Sequence, residues 1–211
     1  MGEKAAVVSW SDSDVPISAR FDDPYYSLAD GRAETAHVFL QGNDLPARFR
    51  DGFHIAELGF GTGLNLLVAL QAFRASGCGG RLHFTSFEAF PMARQDQIRA
   101  LSRFGDLPTD ALRGAEDLCL RVIEGDARQT LPAWAGRADA WFLDGFSPAK
   151  NPELWGNDLL HAVAAHTQPG GTLATYTAAG FVRRGLTAAG FEVTRAPGYG
   201  RKRHMTRARR L

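Results

Sequence analysis

The stretch Glu57-Leu-Gly-Phe-Gly-Thr-Gly-Leu-Asn65 constrains this chain more than any other. It continues the apolar run that starts at Phe53, and its alternate glycines, Gly59, Gly61 and Gly63, lead straight into Leu64, Leu67, Leu70 and Phe73 at helical spacing. That order predicts a strand, a glycine turn and a helix. Glycine lets a backbone turn tightly against a bound group, and the free N–H groups opening a helix point at it, so such a turn is a ligand cradle. A dinucleotide fingerprint begun at Gly59 would need its third glycine where Leu64 stands, which disfavours the NAD(P) form. The plainer alternative is a glycine turn that only closes a strand-helix joint.

Acids further along weigh against that alternative. Arg81 to Glu88 predicts a second strand, and Glu88 ends it where a carboxylate suits the hydroxyls of a ribose. Met92 to Phe104 predicts a helix and Pro108 to Leu118 another. Leu120 to Glu124 predicts the third strand, running into Gly125-Asp126-Ala127; Asp126 is equally placed to cap a short helix. Ala138 to Leu143 predicts the fourth strand and delivers Asp144. Ligands of open α/β sheets bind outside the carboxyl ends of the strands, so Glu57, Glu88, Asp126 and Asp144 are expected at one crevice.

The rest of the chain fills in around that sheet. Residues 1–20 predict an extended or short-stranded lead-in, and Phe21-Asp-Asp-Pro-Tyr-Tyr-Ser27 sets aromatic rings beside carboxylates, a mixture suited to a flat or cationic ligand or to capping the core. Gly42-Asn-Asp44 marks a loop, with Leu45 to Phe49 a short helical turn. Gly145 to Pro152 forms a rigid loop, with a helix opening at Glu153. Pro169-Gly-Gly171 predicts a turn before a strand over 172–177; a helix over 178–189, a strand over 190–194 and a hairpin into His204 to Arg207 follow. Strands alternating with helices and closed by a hairpin predict an α/β fold with a seven-stranded mixed sheet, helices on both faces and a short N-terminal extension. The expected division is 1–50 for an extension that completes the active site and 51–211 for the main domain.

Composition excludes several classes. A chain of 211 residues, 45% hydrophobic and 22% charged, is ordinary for one globular domain. No apolar run reaches the roughly 18 residues of a membrane span, and Met1 to Ser11 lacks a basic start followed by an apolar stretch, so the expected location is the cytoplasm. Two distant cysteines and six histidines without ligand spacing indicate neither a disulfide framework nor a metal site. The net charge of +1 hides an asymmetry: residues 195–211 hold seven basic residues and no acid, leaving 17 basic against 23 acidic before them. A polyanion suits that end, though a solvated tail would look the same.

Glu57-Leu-Gly-Phe-Gly-Thr-Gly resembles motif I of the Rossmann-like S-adenosylmethionine (SAM) methyltransferases. Over nearly its whole length the chain resembles, more narrowly, the MnmD-type tRNA methyltransferases, the N-terminal domain of the bifunctional MnmC proteins. Phe21-Asp-Asp23 with Tyr25, Glu57 to Asn65, Ser86-Phe-Glu88, Trp141-Phe-Leu-Asp-Gly-Phe-Ser-Pro-Ala-Lys-Asn-Pro152, Gly170 to Thr175, Ala179 to Gly185 and Gly200-Arg-Lys-Arg203 carry that resemblance. It implies a class I fold, SAM as cofactor, and methyl transfer to the primary amine of 5-aminomethyl-2-thiouridine at the tRNA wobble position. It also implies an upstream flavin-dependent oxidase step, which cannot be assigned to a chain that stops at Leu211.

The implied cofactor residues are Glu57, Gly59, Phe60, Gly61, Thr62, Gly63, Asn65, Glu88, Asp126, Ala127 and Asp144, with Asp126 near the adenine and Asp144 also catalytic. The substrate side comprises Tyr25 and Pro148, with Phe146 to stack on the nucleoside, Lys150 to pair with a phosphate and Asn151 to bond the base edge, and Arg201, Lys202 and Arg203 meeting tRNA phosphates. A small-molecule amine methyltransferase or a non-catalytic tRNA-binding module are the rival expectations.

Overall fold

Hydrophobic alternation sets the two faces of the central sheet. In the computed structural model, which describes residues 5–211, Ile55 points to one face while Ala56 and Leu58 point to the other, and Phe142 and Trp141 divide in the same way. Each face then needs a helical layer to cover it.

The chain opens with three short strands, β1 (Val8–Trp10), β2 (Pro16–Ser18) and β3 (Asp23–Pro24), which form a small antiparallel sheet of their own. The first four residues of the expected lead-in lie outside the described residues. Next comes α1 (Gly31–Thr35), capped by the Asp30 side chain, which accepts from Ala33 N at 2.9 Å. It runs on through a π-helical turn, Ala36–Leu40, and a 3-10 turn, Gln41–Asn43. This helical run buries Val38, Phe39 and Leu40. Three apolar residues in a row are too short a stretch to show a helical period in the sequence.

The main sheet is built from β4 (His54–Leu58), α2 (Leu64–Ser76), β5 (Leu82–Glu88), α3 (Arg94–Leu101), β6 (Leu118–Glu124), α4 (Ala127–Thr130), β7 (Ala138–Leu143), α5 (Asn157–Ala165), β8 (Thr167–Thr175), α6 (Gly180–Ala188), β9 (Phe191–Pro197) and β10 (His204–Arg210). Its strand order is β6-β5-β4-β7-β8-β10-β9, parallel from β6 to β8 and antiparallel for β10. The order reverses between β4 and β5 on one side and β7 on the other. That is the topological switch point, where a crevice opens at the carboxyl ends. Apolar residues surround nearly all of the first two turns of α2, which lies between the sheet and the N-terminal helical run.

Several expected elements differ. The helix expected over 92–104 is shorter, because Ala93 stays extended. The one expected over 108–118 is only a 3-10 turn, Thr109–Arg113, since pairing of Leu118 with Leu82 starts β6 two residues early. The helix expected from Glu153 begins as a 3-10 turn, Pro152–Trp155, before α5. Pro169-Gly-Gly171 does not precede β8 but bulges inside it: a step of two residues on β7 matches five on β8. Proline has no N–H for a ladder, which favours a bulge there. The expected hairpin into His204 does form, and β10 carries the basic end on to Arg210 as an inner strand with Met205, Thr206 and Ala208 buried. No described helix is long and apolar enough to cross a membrane.

Candidate active site

The glycine turn packs directly against the end of β7. Gly59 sits at φ +90, and a Cβ there would stand 2.8 Å from the Asp144 carbonyl oxygen. Gly61, at φ +51, donates its N–H to Glu88 Oε2 at 2.9 Å, and a Cβ on it would press on the Tyr25 ring at 3.0 Å. Glu88 Oε1 accepts from Phe90 N at 2.8 Å. Burial nonetheless raises the Glu88 carboxyl above its ordinary range, against these N–H bonds.

One amide joins the two other acids of the switch point. Asn65, on the first turn of α2, donates from Nδ2 to Glu57 Oε1 at 2.9 Å and to Asp144 Oδ2 at 2.6 Å, while its Oδ1 accepts from Thr35 Oγ1 at 2.7 Å. Ser86 Oγ donates to Glu57 Oε2 at 2.7 Å. Glu57 is fully buried with no cation beside it, and desolvation pushes its pKa well above the carboxylate range. Asp144 is raised to about 7: burial dominates, the Asn65 hydrogen bond opposes it, the negative charge of Glu34 adds to it and Lys202 opposes. A carboxyl poised there is roughly half ionised at neutral pH.

The N-terminal segment and the loop after β7 form an aromatic wall. Phe21 stacks on Phe146 with centroids 4.8 Å apart, and Tyr25 meets Phe146 edge-on at 5.1 Å. Ser147 N donates to Asp23 Oδ2 at 2.9 Å, and Trp155 Nε1 donates to the Phe146 carbonyl at 2.9 Å. Burial, with Glu88 adding to it, pushes the Tyr25 hydroxyl up to about 12, so it stays neutral. Tyr176 also lines the cleft; its hydroxyl donates to the Gly145 carbonyl at 2.7 Å, and Lys202 lies beside its ring.

These surfaces enclose a cleft of about 990 Å³, at the upper end of small-molecule sites (roughly 300–1,000 Å³). Of the expected cofactor residues, Gly59, Phe60, Gly61, Thr62, Asn65, Glu88, Asp126, Ala127 and Asp144 line it. Glu57 and Gly63 do not: Glu57 lies beneath the floor and reaches the cleft only through Asn65. Asp126 both lines the cleft and caps α4, accepting from Arg128 N at 2.9 Å; the Arg128 guanidinium holds it below its ordinary range. On the other side Tyr25, Phe146, Asn151, Arg201 and Lys202 line the cleft, whereas Pro148, Lys150 and Arg203 do not.

Two of the expected phosphate contacts are redirected. Lys150 bonds the Asp22 carbonyl and faces the Asp22 and Asp23 carboxylates at 3.5 and 3.6 Å, so it ties two loops together. Lys202 turns inward to Glu34. Glu34, Thr35 and Tyr176 are cleft residues that sequence reading missed; only the Asp30 capping pattern could have drawn attention to the first two.

The comparisons agree with this geometry. The sequence pattern of the family described as S-adenosyl-L-methionine-dependent methyltransferase matches residues 105–210, half of the chain. The chain belongs to that methyltransferase family. Two relatives, each named tRNA 5-methylaminomethyl-2-thiouridine biosynthesis bifunctional protein MnmC, come from Caulobacter sp. strain K31 and Stutzerimonas stutzeri strain A1501. They are 45% and 43% identical over 97% and 96% of this chain, which spans 38% and 34% of their lengths. The crystal structure of MNMC2 from Aquifex aeolicus superposes with a TM-score of 0.76 at 30% identity, over 98% of this chain and 70% of that one.

A methyltransferase of this family needs a place for SAM, and the residues fit one. A glycine turn too close to its neighbours for side chains adjoins the opening of α2, and Glu88, Asp126 and Ala127 lie one and two strands away.

Proposed function

We propose that this methyltransferase modifies the primary amine of 5-aminomethyl-2-thiouridine at the tRNA wobble position, giving 5-methylaminomethyl-2-thiouridine. The observation that carries the reading is Asp144: a carboxyl held by Asn65 in a cleft that Phe21, Tyr25 and Phe146 also line, and raised by burial to about 7. The names of the relatives supply the nucleoside. When bound, SAM supplies an electrophilic methyl on a sulfonium, and the reaction forms an N–C bond as the C–S pair returns to sulfur.

The chain's residues do the rest. Gly59, Phe60, Gly61 and Thr62 cradle the methionine part of SAM, Glu88 takes the ribose hydroxyls, and Asp126 and Ala127 border the adenine. A primary alkylamine has a pKa of roughly 10.4, so it arrives as an ammonium that cannot attack. Ionised Asp144 accepts a hydrogen bond from that ammonium, orients it toward the methyl group and takes one of its protons; Asn65 holds the carboxylate in place. Phe146 and Tyr25 hold the flipped base, with Asn151 at its edge. Arg201 and Arg203 meet phosphates on the rim. Residues 1–50 act as an extension completing the acceptor side, since residues 20–35 border the cleft. A flavin-dependent oxidase, separate from the residues described here, supplies the amine, and the work takes place in the cytoplasm, where tRNA is.

The test is methyl transfer from labelled SAM to tRNA from cells that accumulate the wobble aminomethyl nucleoside. Label recovered in 5-methylaminomethyl-2-thiouridine is the expected result. SAM binding without any labelled nucleoside would overturn the reading.

A further inference from the structure

The acceptor side of the cleft already holds a primary ammonium. Lys202, from the loop joining β9 to β10, places its Nζ 2.8 Å from Glu34 Oε1 and 4.0 Å from the centroid of the Tyr176 ring. The two partners come from different parts of the fold. Glu34 belongs to α1 and its side chain is only 14% exposed; Tyr176 is anchored through its hydroxyl to the Gly145 carbonyl, next to Asp144. Glu34, Tyr176, Asp144 and Lys202 all line the one cleft. A carboxylate beside an aromatic face is a receptor for an alkylammonium.

We propose that Glu34 and Tyr176, adjoining Asp144, form a primary-ammonium receptor in which the Lys202 side chain stands in for the aminomethyl group until substrate displaces it. The inference rests on the reading that the acceptor is a primary amine carried on tRNA. A lysine side chain ends in CH2–NH3+, the same group as an aminomethyl substituent, so the two compete for one place. Displaced, Lys202 swings on its flexible four-carbon stem to the rim beside Arg201, where a phosphate offsets the lost contact with Glu34. A free nucleoside or a small amine brings no phosphate. Lys202 therefore discriminates against free amines while admitting tRNA.

The test compares two acceptors, the free nucleoside 5-aminomethyl-2-thiouridine and tRNA carrying it, with Lys202→Met and Glu34→Gln. Lys202→Met is expected to lower KM for the free nucleoside about tenfold and to raise KM for tRNA several-fold, a tenfold change being what one partly desolvated cation contact is worth. Glu34→Gln is expected to raise KM for both acceptors. A change of the same sign for both acceptors in Lys202→Met, or an unchanged nucleoside KM, overturns the proposal, because a lysine that only braced the fold would weaken both.

A second readout does not depend on the acceptor's identity. Calorimetric titration of butylammonium into the protein saturated with S-adenosylhomocysteine should show tighter binding in Lys202→Met than in the unmodified chain. That gain should vanish in the Glu34→Gln/Lys202→Met double variant, with homocysteine-nucleoside binding confirming that each protein is folded. Butylammonium gain without tRNA methylation would keep the receptor and reject tRNA as acceptor. No gain, whatever happens with tRNA, rejects the receptor.

Discussion

On one side of the cleft Glu88 reaches the Gly61 amide across 27 residues of sequence; on the other, Asp23 reaches Ser147 across 124 and Glu34 reaches Lys202 across 168. The glycine side is made mostly of backbone, in neighbouring strand-helix units whose order dictates where each carboxyl end lies. The acceptor side is made of side chains from three remote segments: the N-terminal lead-in, the loop after β7 and the hairpin before β10. The first can change little without losing its shape. The second is held by aromatic stacking and ion pairs, many of them half-exposed, and can be altered one contact at a time.

The largest effect should therefore come from the glycine side. Gly59→Ala forces a side chain into a positive-φ position 2.8 Å from the Asp144 carbonyl; strain of about 1–3 kcal/mol plus the displaced Asp144 should weaken SAM binding on the order of a hundredfold by calorimetry. A loss of tenfold or less would mean that the glycine side yields as easily as its opposite.

Asp144→Asn stands where the two sides meet. It should lower kcat about 100-fold with SAM affinity within a few-fold, and unchanged kcat would remove both roles assigned to the carboxyl. Its effect on stability has the opposite sign. The folded-state pKa of Asp144 is raised, so its contribution is fully present below the ordinary value of 3.8 and is lost as pH rises through about 7. Thermal melts should thus show the asparagine variant gaining on the unmodified chain between pH 5 and pH 8, by a few degrees. A constant difference across that window would show that Asp144 is not the group held out of water.

Phe146→Ala removes the platform on which Phe21 stacks and against which Tyr25 abuts. Loss of one base-stacking face, about 1–3 kcal/mol, should raise KM for tRNA about tenfold while SAM binding stays put. If SAM affinity falls equally, the two sides are one unit. The smallest effect belongs to Lys150→Ala: its partners Asp22 and Asp23 form exposed or half-exposed pairs, worth about 0–1 kcal/mol. Denaturant midpoints should scarcely move, and tRNA affinity should keep its salt dependence, since this cation is engaged within the protein.

Where sequence reading erred, the errors share a cause. Lys150 looked free for phosphate because nothing nearby in the chain opposes it; Asp22 and Asp23 reach it from over 120 residues away. Glu57 looked like a cleft residue because its motif ends there, yet α2 brings Asn65 over it as a lid. The hairpin into His204 to Arg207 was legible, but charge alone misleads there: Thr206 and Ala208 alternate with Arg207 and Arg209 on an inner strand that β8 and β9 flank. Arg207 and Arg210 then spend their charge on Asp44 and on carbonyls at the end of α6.

The order of strands and helices, the glycine cradle and the acids at successive strand ends were determined by the sequence itself, because each depends on residues within one strand-helix unit: hydrophobic period, turn chemistry and capping. Which carboxyl is buried, which amide joins Glu57 to Asp144, and which cation fills the acceptor side were decided only by tertiary structure. Desolvation and ion pairing depend on distance through space, and residues 34, 65, 144 and 202 are brought together by the sheet's topology alone.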